Sequence, residues 1–278
     1  DINPDVFNAN YEAALTLQGD GKTVVDALLS RITELRPNAA NSQVLTKTIA
    51  TLKQEYLDSW LKLPGDRVNP AHFLTALRTH LPADALLACD DGNHTFLAAE
   101  LFPILPGGNF ISPSDFNAMG YCVPATNALK LCHPDQVVVG IVGDGAMMMT
   151  GMEAITASKY HLGVIYCLFN DGELSQRSSQ RPGRYGAMSK LGEADWIAFA
   201  HAVGCEYVAV EDNQEIESAL NTAMSLAAKQ QPVFMDVHVD YSRRSAFSEG
   251  LLKTRQKQSG RTSRARWLAQ ALKDKIVG

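Results

Sequence analysis

Val137-Val138-Val139-Gly140-Ile141-Val142-Gly143-Asp144-Gly145 is the stretch from which the fold of this chain can be read. Its first six residues are apolar and mostly β-branched, the pattern of a strand buried on both faces. Residues Ala146 to Tyr160 follow and are rich in helix formers. Val164-Ile165-Tyr166-Cys167-Leu168-Phe169 then repeats the buried-strand pattern and runs into Asn170-Asp171-Gly172. Strand, turn, helix and strand make one βαβ unit, so the two strands should be parallel neighbours. The C-terminal strand ends of such a sheet line its ligand crevice. Asp144 and Asp171 should therefore stand side by side there.

Two carboxylates beside a helix N-terminus suit a hard cation such as Mg²⁺, whose remaining ligands are water and phosphate oxygens. The helix expected after Gly145 offers free N–H groups and a positive dipole end to a phosphate. Either turn taken singly is an ordinary βα or tight turn. Their placement at the two ends of one unit is what points to a diphosphate bridged to the protein by a cation.

Gly143-Asp144-Gly145, a gap of 24 residues and Asn170-Asp171 resemble the signature of thiamine diphosphate enzymes, most closely the acetolactate synthase and pyruvate oxidase group. Asp90-Asp91-Gly92-Asn93-His94-Thr95 is similar to that group's diphosphate-binding turn. Phe116 to Ala125 is similar to its Gly-x-Met-Gly-x-x-x-Pro-Ala segment. The resemblance covers about residues 65–240. It implies cofactor contacts from Asp91, Gly92, Asn93, His94, Asn117, Met119, Gly143, Asp144, Gly145, Ala146, Asp171 and Leu174. It implies Mg²⁺ ligation by Asp144, Asp171 and the backbone carbonyl of Glu173. Met119 would wedge beneath the bent cofactor. The chain departs from the pattern twice. Asn117 stands where the family commonly has Gly, and Asp171 where it normally has Asn.

The implied activity is decarboxylation or carboligation of small-molecule 2-oxo acids. In the family a Glu from the first domain of a partner subunit activates the cofactor, and no segment here resembles that domain. No catalytic residue is thus expected from this chain, which should be inactive alone. FAD, carried by some members, would require domains absent here. A homo-oligomer, dimer or tetramer, is implied because the cofactor sits between subunits. Two other classes fit the residues: a non-catalytic cofactor-binding or assembly subunit, and an unrelated Mg²⁺-dependent phosphate-binding α/β protein.

The chain has 278 residues, 46% hydrophobic and 20% charged, ordinary for a soluble globular protein. No apolar run reaches the about 18 residues of a membrane span. Five cysteines without a Cys-x-x-Cys pair read as core thiols in a reducing cytoplasm rather than disulfides or zinc ligands. The net charge of −5 hides an asymmetry, since ten Lys or Arg face only Glu249 and Asp274 between Arg243 and Lys275. No RNA-binding motif or aromatic platform accompanies this tail. It reads as a solvated or docking face, with no nucleic acid and no membrane as partner.

In chain order, residues 1–35 resemble the end of a middle domain. Gly19-Asp20-Gly21 there is a decoy ahead of an amphipathic helix over Lys22–Leu35. Residues 36–66 read as a connector, with a loop at Pro37–Ser42 and a helix over Gln43–Leu61. Residues 67–242 form the expected cofactor-binding domain and 243–278 the basic tail. Asn69 should cap a helix over Ala71–His80 that opens with Pro70. Ala85–Cys89 reads as the first strand, and Gly107–Asp115 as a turn-rich approach to Met119. Helices over Glu193–Val203 and Asn213–Lys229 and strands at Tyr207–Val210 and Pro232–Val239 complete the alternation. The fold expected is α/β, a doubly wound parallel sheet with helices on both faces. Arg177, Arg181 and Arg184 are candidates to hold a substrate carboxylate.

Overall fold

The structure is a computed structural model and describes residues 1–9, 11–32, 39–105, 109–176 and 188–258. By internal contacts the chain divides into two compact units, Asp1–Tyr56 and Leu57–Gly278. In the first unit, α1 (Gly21–Ile32) begins where Asp20 Oδ1 accepts from the Thr23 N–H. Asp20 is thus a helix cap, as its place before an amphipathic run suggests. Helix α2 (Ala39–Leu61) starts inside the stretch expected to be a loop. Ala39 and Ala40 are strong helix formers and extend it.

The second unit is built on six parallel strands. They are β1 (Leu86–Cys89), β2 (Phe110–Ile111), β3 (Val138–Gly143), β4 (Val164–Asn170), β5 (Glu206–Val210) and β6 (Val233–His238). Their spatial order is β2-β1-β3-β4-β6-β5. The chain winds outward from β1 to β2, then crosses back and winds the other way from β3. The two halves part between β1 and β3, which makes that gap the switch point of the sheet. The strand β2 is the one sequence reading missed. Two residues carry no periodicity, and only pairing with β1 (Leu87 opposite Phe110) defines it.

The helices are α3 (Pro70–His80), α4 (Asn93–Leu101), α5 (Cys122–Cys132), α6 (Asp144–Thr150), α7 (Ala154–Lys159), α8 (Trp196–Ala202), α9 (Ile216–Ala228) and α10 (Ala246–Gln258). Residues from α5, α6, α7 and α8 share one buried cluster with Tyr166 and Leu168 of β4. The alternate residue Phe169 instead meets Phe73 of α3 edge-on, ring centres 5.4 Å apart. Period-two alternation along β4 thus serves two helical layers. Asn69 caps α3 by accepting from the Ala71 N–H at 2.9 Å, with Pro70 in the first turn.

Two expectations change around β3. The following helix starts at Asp144, not after Gly145. It also breaks at a 3₁₀ turn, Gly151–Glu153, before α7. At Gly151 the backbone is pressed against Met147 and Phe199, where a Cβ would lie 2.7 Å from the Met147 sulfur. Among the described residues no helix is long and apolar enough to cross a membrane.

Candidate cofactor site

The register of β3 and β4 pairs Gly143 with Phe169, so Asp144 and Asp171 leave the sheet at nearly the same level. Asp144 is 4% exposed. Its Oδ1 accepts from the Gly145 N–H at 2.7 Å, and its Oδ2 from the N–H groups of Gly172 (2.8 Å) and Asp171 (3.3 Å). The first carboxylate is therefore fixed by the turn that carries the second. The Ser175 hydroxyl donates to Asp171 Oδ2. The carbonyl of Glu173 accepts from the Ser175 N–H at 2.9 Å.

Burial raises the pKa of Asp144. Asp171 is pushed up to about 8 by burial and then by the charge of Asp144. Two carboxylates held together out of water disfavour each other's ionisation. A divalent cation between them reverses that cost, so this donor set fits Mg²⁺. Among the described residues no group of three or more His, Cys, Asp or Glu side chains could hold a metal ion. The expected set is of a different kind: two side chains and the Glu173 carbonyl, completed by phosphate oxygens.

The third side of the site comes from the end of β1. His94 is 4% exposed in the first turn of α4, and its Nε2 is buried without a hydrogen-bond partner. Burial drives its pKa down to about 4, against a hydrogen bond to the Asp90 backbone carbonyl that acts the other way. The ring has room because Gly92 and Gly143 flank it. A Cβ on them would lie 2.5 and 3.0 Å from His94 Cε1. Across the cleft a Cβ on Gly145 would lie 2.4 Å from Leu174 Cδ2 and 3.3 Å from Met119 Cε. Glycine there leaves room for the Leu174 and Met119 side chains against the backbone.

These groups face one cleft. Eleven of the twelve expected cofactor contacts line it: Asp91, Gly92, Asn93, His94, Met119, Gly143, Asp144, Gly145, Ala146, Asp171 and Leu174. Glu173 lines it as well. Asn117 does not; it is exposed, with φ 55°. That left-handed backbone is one that glycine adopts freely and asparagine tolerates better than most. The substitution for glycine therefore preserves the turn.

Sequence reading missed Phe169, Ser175, Gln176 and Tyr241 in the lining. Ser175 had a weak signal, four residues beyond Asp171; Tyr241 had none. Asp90 is fully buried and acts on the fold. Its carboxylate accepts from the N–H groups of Asp91 (2.9 Å), Gly120 (2.9 Å) and Cys122 (2.7 Å). It thereby ties the Met119 segment to the end of β1. Asn170, the other half of Asn-Asp, donates to the buried Asp236 at 3.0 Å and pins β4 to β6. Arg177, Arg181 and Arg184 lie outside the described residues.

Residues 90–237, more than half of the chain, match the family model described as thiamine pyrophosphate enzyme, C-terminal TPP binding domain. The chain belongs to the thiamine pyrophosphate enzymes. Among curated relatives of this family member, the acetolactate synthase isozyme 3 large subunit of Escherichia coli is 26% identical over 253 residues. That match covers 87% of this chain and 43% of the relative. The acetolactate synthase large subunit of Haemophilus influenzae is 27% identical, with the same coverage. The chain thus spans under half the length of these relatives. A solved thiamine diphosphate-dependent 4-hydroxybenzoylformate decarboxylase from Rhodococcus jostii shares the fold at TM-score 0.57. It is 19% identical, and the match covers 65% of this chain and 34% of that one.

Proposed function

We propose that this chain is the cofactor-binding part of a thiamine diphosphate- and Mg²⁺-dependent enzyme that decarboxylates or ligates 2-oxo acids. The observation that carries this reading is the convergence of the Asp144 and Asp171 carboxylates with an unpartnered His94 Nε2 in one cleft. The cation would be held by Asp144, Asp171 and the Glu173 carbonyl. The diphosphate would lie at the first turns of α4 and α6, with His94 on one side. Met119 and Leu174 present an apolar wall beside Gly145, suited to the cofactor rings. Thiamine diphosphate supplies a nucleophilic carbon that adds to the carbonyl of a 2-oxo acid and accepts the electron pair left by departing carbon dioxide. The residues of this chain bind, orient and exclude water around it.

The activating Glu is expected from a domain or partner subunit that this chain does not supply. The chain spans under half the length of the synthase relatives. A reducing cytoplasm is the setting that fits cysteines that are free among the described residues, and a homo-oligomer is the state the family resemblance implies. Calorimetric titration with thiamine diphosphate, with and without Mg²⁺, tests the reading on wild type and Asp144→Ala. Mg²⁺-dependent binding that the variant loses is the expected result. Failure of wild type to bind, even with the N-terminal part of a full-length relative added, would overturn it.

A further inference from the structure

We infer that the Tyr241 hydroxyl binds a phosphate oxygen in this cleft, a contact outside every motif that marks the site. The inference rests on the cofactor reading above and adds to it. Tyr241 follows β6, where the backbone continues as a pinned rung. Val68 N–H donates to the His238 carbonyl at 2.9 Å, Asp240 N–H to the Val68 carbonyl at 2.8 Å, and Val239 N–H to the Asn170 carbonyl at 3.2 Å. These bonds carry Tyr241 over the end of β4, into the wall that Asp144, Asp171 and His94 also line. The position is thus set by the sheet and not by a loose loop.

The hydroxyl is buried and has no hydrogen-bond partner. A buried tyrosine hydroxyl ordinarily finds one, because leaving it unpaired forfeits its bonds to water. Burial, then the charges of Asp171 and Asp144, hold its pKa well above the usual value. The group therefore stays protonated and is a donor in need of an acceptor. A cation cannot supply one, since it takes lone pairs. A phosphate oxygen can, and a donor to an anionic oxygen makes the stronger kind of bond. On its other side Tyr241 borders a second cavity that carries Arg67, Arg243 and Arg244. Asp171, Glu173 and Asp240 line that cavity too, so it is the unpaired hydroxyl that calls for the anion.

Tyr241→Phe tests the inference because it removes one oxygen and keeps the ring. Titration of the full chain with thiamine diphosphate and Mg²⁺ should show affinity about 10- to 100-fold weaker in the variant. The melting temperature of the cofactor-free variant should rise by about 2–4 °C, since an unpaired buried group has been removed. Equal affinity in variant and wild type overturns the inference and leaves the cofactor reading standing. A fall in the cofactor-free melting temperature also overturns it, because the hydroxyl would then serve the fold. Wild type that fails to bind even with the N-terminal part of a full-length relative added overturns the cofactor reading and this inference together.

Discussion

At Gly145 the absence of one carbon shapes the cleft. The nearest obstacle to a Cβ there is Leu174 Cδ2 at 2.4 Å, the end of a side chain that can turn aside into the cavity. Gly145→Ala should therefore change folding stability by under about 1 kcal/mol while weakening thiamine diphosphate binding at least about tenfold. Denaturation and titration on one preparation separate the two effects. His94 gives a pH signature. Its folded pKa is about 4 and its unfolded value about 6.5. Below pH 6.5 the unfolded chain takes up a proton that the folded chain refuses, so stability falls from pH 6.5 to 4 and is level below that. Urea denaturation should show wild type losing about 2–3 kcal/mol more than His94→Gln between pH 7 and pH 4.5. Equal losses would show that His94 charges in place. Asp144 was legible as a site residue because it follows a strand directly, and His94 because its turn resembles the family's diphosphate-binding turn. Tyr241 was not, because nothing local distinguishes it from any tyrosine after a strand.

Among elements, the decisive contact is between the end of β1 and the Met119 segment. The Asp90 carboxylate alone takes three backbone N–H groups from three positions along the chain. Asp90→Ala leaves the buried donors of Gly120 and Cys122 without an acceptor and should cost about 3–4 kcal/mol. Urea denaturation measures this directly, and a loss under about 1 kcal/mol would show that the segment is held otherwise. Asn117→Gly should be nearly silent in the same assay, because the backbone already adopts φ 55° and glycine is at ease there. The long strands β3 and β4 were visible as apolar β-branched runs. The pieces that position the site escaped: the two-residue β2, the 3₁₀ break at Gly151 and the start of α6 at Asp144. Each is set by a neighbour's shape, not by its own composition.

At the scale of the whole molecule, cofactor binding and turnover should separate. We expect the chain to bind thiamine diphosphate with Mg²⁺ yet show no decarboxylation of a 2-oxo acid. Adding the N-terminal part of a full-length relative should restore turnover. Carbon dioxide release measured with each component alone and together checks this, and turnover by the pure chain would refute it. The sequence by itself determined the class of fold, because buried parallel strands need unbroken apolar runs and βα turns need glycine. It also determined the cofactor family, because the family's metal and phosphate chemistry needs particular atoms at fixed distances along the chain. Only the tertiary structure decided how the ends of β1, β3 and β4 meet at the switch point, and that Asp90 and Asn170 brace the fold while Asp144 and Asp171 face the cleft. The physical reason is that a side chain's type is local, whereas its direction and its partners depend on every element packed against it.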